Sequence, residues 1–497
     1  MGHYPIKCVC CGKVLTNRSV LFDIKNVSGT IVQHLKGGEV KASSTPKSNR
    51  QDARNKADNA SPDYLDDIPT VKKPREFEHS LKDQMTFPEL LAYCAERELQ
   101  IQAKYQDYPI SEDFLNAEGT EAEGLLTRLS FQKEKGGFLF NSITRYCPEC
   151  GRPLPARSGA MPTYLVSLLG STASGKTVYL CALSNVLSRS CGLPFASTLH
   201  SVPASNSSNE LFTLSNALFV DGILPATTQR LVSEPLVFEL TYSFPYKRKQ
   251  YSKSCLFSIN DMRGEDFAET TGEALRERGE FISMSDAFLT VISPLNIPSF
   301  SVLLSNRDTV DAEHSQLVHT ALMSHLNNFV LPFFPGGQID APCVTMLSKS
   351  DTLITNRELL GIPPSNPVVA KDPPKLFTGT YFRNLHKGTA DILRRDNALC
   401  QFLFHVFRNL RLTSVSAFGP NVKYGRASVN KDGLEHKTVE NPKTLSPQHV
   451  ADPILLLLIQ LGFLPDFTQM ELGKYYLKNN TEIMQAWMDR CICTGRK

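Results

Sequence analysis

Gly170-Ser171-Thr172-Ala173-Ser174-Gly175-Lys176-Thr177 stands between the apolar run 164–169 and the helix-like Val178-Tyr179-Leu180-Cys181-Ala182-Leu183. It fits G-x-x-x-x-G-K-S/T, a phosphate-binding loop, in the strand, loop and helix context that the motif requires. Glycines let successive backbone N–H groups turn toward phosphate oxygens, and the start of the helix adds a favourable dipole. In this reading Gly170, Ser171, Ala173, Ser174, Gly175 and Val178 supply the cradle, Lys176 reaches the β- and γ-phosphates, and Thr177 ligates magnesium. The competing reading is a glycine turn followed by a solvated lysine. The motif and its flanks predict an α/β fold with a mostly parallel sheet and flanking helices.

Upstream, Cys8-Val9-Cys10-Cys11-Gly12 and Cys147-Pro148-Glu149-Cys150-Gly151 each carry C-x-x-C-G. A tight turn of this kind places two thiolates on one tetrahedral ion, and the glycine frees backbone N–H groups to bond sulfur. Cys8, Cys11, Cys147 and Cys150 are therefore the candidate ligands of one structural zinc ion. Their separation of about 135 residues exceeds the usual 15–20, so such a ribbon carries a large insertion. Cys10 leaves the register of the first pair open, and two unrelated cysteine turns or a redox pair are the alternatives. Within the insertion, residues 36–75 are polar and read as a linker. Thr86-Phe87-Pro88-Glu89 has the form of a capping box ahead of a helix with Leu90, Leu91, Cys94 and Leu99 on its apolar pattern.

The chain has 497 residues, 41% hydrophobic and 21% charged, enough for several domains with full cores. A net charge of +3 is too small to indicate nucleic acid or an anionic membrane as partner. No apolar run approaches the roughly 18 residues that span a bilayer. The thirteen cysteines fit metal ligation and buried thiols better than disulfides, and with no secretory segment visible the expected location is cytoplasmic.

Downstream, two runs at 236–242 and 254–259 read as strands joined by the basic turn Tyr246-Lys247-Arg248-Lys249. The second ends in Asn260-Asp261-Met262-Arg263-Gly264-Glu265, a D-x-x-G arrangement in which Asp261 can hold magnesium. A buried strand at 343–347 runs into Ser348-Lys349-Ser350-Asp351, and another at 412–415 into Ser416-Ala417-Phe418. Residues 381–396 and 398–410 have helical periodicity, with Phe402, Phe404, Val406, Phe407 and Leu410 as core. Asp452-Pro453 reads as N-cap and first turn of a closing helix.

These motifs, in this order at strand ends, resemble a translation-factor-class (TRAFAC) GTPase, and the cysteine knuckles ahead of them resemble the bacterial double-GTPase-type families. The resemblance implies GTP and GDP as ligands with magnesium. It implies Gly264 as the γ-phosphate sensor, Lys349 and Asp351 as the guanine clamp, Ser416 and Ala417 at the base edge, and Thr228 or its neighbour Thr227 as the switch threonine on magnesium. Two positions depart from the pattern. Ser348 stands where Asn or Thr is usual, so weaker support of the base loop is expected. Glu265 stands where many members orient the attacking water with glutamine, so slow hydrolysis without a partner's arginine is expected. The expected organisation is zinc-ribbon halves at 1–20 and 137–157, an insertion at 21–136, a nucleotide domain at 158–465 and a tail at 466–497. The expected role is a regulatory switch with an effector or activating protein. An ATPase of the same fold, or a nucleotide-dependent scaffold that scarcely hydrolyses, are the alternatives.

Overall fold

The structure, a computed structural model, describes residues 4–23, 84–95, 99–106, 124–133, 138–142, 144–171, 173–189, 197–201, 206–225, 235–246, 249–261, 282–297, 299–300, 304, 323–324, 326–334, 336–356, 379–419, 422–425, 428–429, 435–436 and 438–464. The linker at 36–75, Thr227, Thr228, Gly264, Glu265 and the tail at 466–497 lie outside them. The described residues fall into two compact units, one within Leu15–Tyr108 and Glu121–Ala156, the other within His3–Val14 and Arg157–Lys497.

The first unit holds two three-stranded antiparallel sheets. In one, Leu21–Asp23 lies between Gln84–Thr86 and Arg145–Tyr146; in the other, Leu125–Lys133 lies between Leu99–Gln106 and Phe138–Ser142. The helix Phe87–Ala95 starts on the capping box read from its sequence: Glu89 accepts from the Thr86 backbone N–H at 2.7 Å and from its hydroxyl at 2.8 Å. Leu99 is not on this helix but opens the next strand, and Leu91 is exposed while Leu90 is buried. Buried Asn17 donates to the Gly124 carbonyl at 2.7 Å and accepts from Leu126 N–H at 2.9 Å, satisfying backbone groups where the central strand begins.

The second unit is built on a seven-stranded sheet. Its elements are β1 (Thr163–Gly170), α1 (Lys176–Arg189), β2 (Ser197–Ser201), α2 (Asn206–Asn216), β3 (Leu236–Tyr246), β4 (Lys249–Asp261), β5 (Ala287–Ile292), β6 (Cys343–Leu347), α3 (Gly379–Leu393), α4 (Asn397–Val406), β7 (Leu410–Ser414) and α5 (Asp452–Gln460). The strand order is β2-β3-β4-β1-β5-β6-β7. From β4 to β7 neighbours run parallel, while β3 and β2 add antiparallel at one edge. β5 and β6 are buried throughout, as strands covered on both faces must be, and their unbroken apolar runs reflect it. The core includes Tyr179 and Leu180 of α1, Phe288 and Val291 of β5, and Leu455 to Leu458 of α5.

Register levels the strand ends. Asp261 pairs with Leu168, Val291 with Gly170, and Leu347 with both Ile292 and Ser414. The segments that leave β4, β1, β6 and β7 therefore all start from the carboxyl ends of the strands, where open parallel sheets bind ligands.

Several boundaries differ from expectation. β3 and β4 extend to pair Tyr246 with Lys249. The polar stretch after 201 becomes α2, which runs on as a π turn at Ala217–Asp221. Phe404 is 46% exposed, whereas Val406 and Phe407 are buried. α4 stops at Val406, so Leu410 belongs to β7. Asp452 lies inside α5, whose N-cap is Ala451, and its carboxylate bonds His449 Nδ1 at 3.1 Å, both side chains fully buried.

Candidate functional site at the sheet edge

The loop from Gly170 to Thr177 leaves β1 and enters α1 directly, with Tyr179 N–H bonding the Gly175 carbonyl at 2.9 Å in the first turn. A Cβ at Gly170 would stand 2.8 Å from the Val291 carbonyl oxygen and 2.9 Å from Ser174 Oγ, so only glycine lets the loop lie this close to β5. Lys176 is 8% exposed and folds back over the loop, its Nζ donating to the Gly170 carbonyl at 2.6 Å and the Ser171 carbonyl at 3.1 Å. A buried ammonium on carbonyl oxygens can exchange those acceptors for the oxygens of an anion.

The turn after β6 is tied to the same loop. Ser348 Oγ donates to the Ser174 carbonyl at 2.6 Å and lies 3.2 Å from that of Ile292. Lys349 Nζ donates to the Ala173 carbonyl at 2.9 Å, bringing its side chain across the loop. Lys349 and Ala173 both have left-handed backbones, φ 49° and 59°, a costly conformation for residues with side chains that clusters at ligand clamps. Thr352 closes the turn by donating its N–H and hydroxyl to the Lys349 carbonyl at 3.0 and 2.7 Å.

Asp351 is positioned from β7. Ser416 Oγ donates to Asp351 Oδ1 at 2.6 Å and accepts from Gly419 N–H at 2.8 Å, so a single hydroxyl fixes the carboxylate and folds the Ser416-Ala417-Phe418-Gly419 turn. Ser416 is held in turn by paired backbone bonds with Gln448, 3.0 and 2.7 Å. Phe418 meets Tyr424 edge-on, ring centroids 6.4 Å apart at 79°. Desolvation, and after it the Asp351 carboxylate, raise the Tyr424 phenol above its ordinary range, so it stays neutral.

The structure thus brings Gly170, Ser171, Ala173, Ser174, Gly175, Lys176, Thr177 and Val178 together with Lys349 and with Asp351, Ser416 and Ala417. Asp261 ends β4, the strand beside β1. Its carboxylate and the Thr177 hydroxyl are hard oxygen donors of the kind magnesium takes. Sequence reading did not find Tyr424: no motif marks it, and only the fold sets its ring against Phe418.

The two cysteine turns repeat one geometry. Cys8 N–H bonds the Lys13 carbonyl at 2.9 Å and Gly12 N–H the Cys8 carbonyl at 3.0 Å; Cys147 N–H bonds the Arg152 carbonyl and Gly151 N–H the Cys147 carbonyl, both at 2.9 Å. Gly12 and Gly151 share positive φ, 76° and 67°. The sulfur atoms of Cys8, Cys11, Cys147 and Cys150 all lie within 4.8 Å of one another, and this cysteine cluster could hold a metal ion. Zinc bound at 2.3 Å by four thiolates separates them by about 3.8 Å, so the donor set fits with little movement. Cys10 is not among the four.

No protein-family model matches the chain, and no curated protein matches it in sequence. Matching solved structures include the GTPase-like domain of Ski7 from S. cerevisiae bound to GTP, at 15% identity and TM-score 0.24, covering 55% of this chain and 46% of that one. Another is the small GTPase Arl6 from Trypanosoma brucei with the analogue GppNp, at 13% identity and TM-score 0.22, covering 51% of this chain and 87% of that one. The chain spans less than half the length of the first. The fold is a mixed α/β architecture on a parallel-rich sheet. Among the described residues, no helix is long and apolar enough to cross a membrane.

Proposed function

We propose that this chain is a magnesium-dependent guanine-nucleotide switch of the TRAFAC type that hydrolyses GTP to GDP and phosphate, and that it serves as a regulatory component of a bacterial multi-protein system. The observation that carries the reading is the tie between two motifs far apart in sequence. Ser348 and Lys349 bond the carbonyls of Ser174 and Ala173, so a triphosphate cradle and a base clamp meet at the carboxyl ends of the strands.

In this reading the amides of the Gly170 to Thr177 loop and Lys176 bind phosphate, Thr177 and Asp261 hold magnesium, and Asp351 accepts the N1–H and amino hydrogens of guanine. Ser416 orients Asp351 through the 2.6 Å bond. Adenine offers no such donor pair. Magnesium supplies charge neutralisation on the phosphates. Gly264 as γ-phosphate sensor, Thr228 as switch threonine and Glu265 as the residue beside the attacking water complete the proposal. An effector and an activating protein are the partners it implies. The four cysteines form a structural zinc site in an N-terminal ribbon.

Equilibrium binding of GTP, GDP and ATP tests the base. GTP and GDP should bind at least tenfold tighter than ATP, and D351N should transfer preference from GTP to xanthosine triphosphate. Unchanged GTP affinity in D351N would sink the guanine reading.

A further inference from the structure

We propose that Tyr424, seated edge-on against Phe418, is an aromatic face for the base of the bound nucleotide and sets part of its affinity. The inference rests on the guanine reading of Asp351 and adds a residue that no motif supplies.

Phe418 directly follows the Ser416-Ala417 pair, at the position where the Ser-Ala-Lys element of the resembling family has lysine. It sits in the turn whose hydrogen bonds fix Asp351, since Ser416 Oγ bonds both Asp351 Oδ1 and Gly419 N–H. Its ring meets that of Tyr424 at 6.4 Å. The turn that holds Asp351 through the Ser416 hydroxyl thus also carries the Phe418 ring on which Tyr424 packs.

Phe418 is packed against the core, but Tyr424 remains 59% exposed. The exposed ring is carried on a fastened segment. Tyr424 bridges to Val439, Gly425 N–H bonds the Thr438 carbonyl at 2.9 Å, and Glu440 N–H bonds the Lys423 carbonyl at 3.0 Å. Val439 N–H bonds the Gly222 carbonyl at 2.7 Å, anchoring this segment on the turn after α2. A large ring held on tethered backbone, open to solvent and packed on the turn whose Ser416 hydroxyl bonds Asp351, has the make-up of a stacking platform. The phenol is neutral, so it adds no negative charge next to a triphosphate.

The experiment uses the full chain and fluorescent mant-GDP with magnesium. Y424A should weaken binding about tenfold, the loss of one base–aromatic stack, and Y424F should stay within twofold of the parent. In Y424W, GDP should quench the new tryptophan emission relative to the parent, whose single tryptophan is Trp487, while inorganic tripolyphosphate should not. Unchanged affinity in Y424A, or equal response of Y424W to GDP and tripolyphosphate, overturns the proposal. D351N separates the two ideas. If D351N loses GTP and Y424A does not, the aromatic face fails and the guanine clamp stands. If D351N is silent while Y424W still distinguishes GDP from tripolyphosphate, the clamp fails and the aromatic face stands, because stacking tolerates any base.

Discussion

Ser348 carries a load that its sequence motif did not announce. Its hydroxyl reaches the Ser174 carbonyl at 2.6 Å from the end of β6, two places from β1 in the same sheet, and Ser174 itself is fully buried. The serine hydroxyl fits under the loop at a distance that suits a short O–H···O bond. Removing it leaves a buried carbonyl without this donor, at a cost of about 1–3 kcal/mol. S348A should therefore be less stable than the parent by about that amount and, where the cradle relaxes to relieve the loss, bind GDP and GTP up to roughly 150-fold more weakly. S348T should recover most of it. Equal affinities of S348A and parent by calorimetric titration would mean that the tie does not organise the cradle.

At the scale of elements, α3 docks on β7 through a base that must stay neutral. His386 Nδ1 accepts the Leu412 N–H at 3.0 Å. Burial first, and then the Arg411 and Arg394 guanidinium groups, lower its pKa below the ordinary 6.5. A lowered folded pKa means that the unfolded chain takes the proton more readily, so stability is kept above about pH 6.5 and is lost as pH falls from there through the folded pKa. Urea midpoints measured between pH 7.5 and 5 should fall less in H386Q than in the parent, since glutamine offers an acceptor that does not titrate. An identical pH profile would remove His386 from the account.

The same elements show what the chain declares and what it conceals. β6 is a run of buried apolar residues and was legible at once, as were Gly170 to Thr177 and the capping box at Thr86, because each depends on neighbours in sequence. β2, Ser-Thr-Leu-His-Ser, carries one large apolar residue and is a strand only because β3 offers it an edge. Asp452 looked like a cap and is a buried partner of His449, since the helix starts on tertiary contacts rather than on its side chain. In the site, the order of motifs was visible, while the bonds of Ser348 and Ser416 and the ring of Tyr424 depend on residues brought together across the sheet.

For the whole molecule, the cysteine turns bear on the nucleotide unit because the first of them is part of it. Val9 packs with Met161, Val237 and Leu256, and its carbonyl accepts from Ser258 Oγ at 3.1 Å. Lys7 Nζ lies 2.7 Å from both oxygens of Asp286, and Asp286 Oδ2 also accepts the Leu165 N–H of β1 at 2.7 Å. The segment that carries Cys8 and Cys11 is thus fastened to the strand that leads into the Gly170 loop. Metal binding to such turns is folding free energy, because the ligands are not assembled in the unfolded chain. Purified protein should contain about one zinc per chain, and C147S with C150S should lose it; C10S should keep it, since Cys10 is outside the four. Chelation should lower the melting temperature and, through Lys7, Asp286 and Leu165, weaken GDP binding, whereas D286N should weaken GDP binding with zinc retained. Full zinc content in C147S/C150S would remove the metal site, and chelated protein that binds GDP as before would show that the fastening of β1 survives without it.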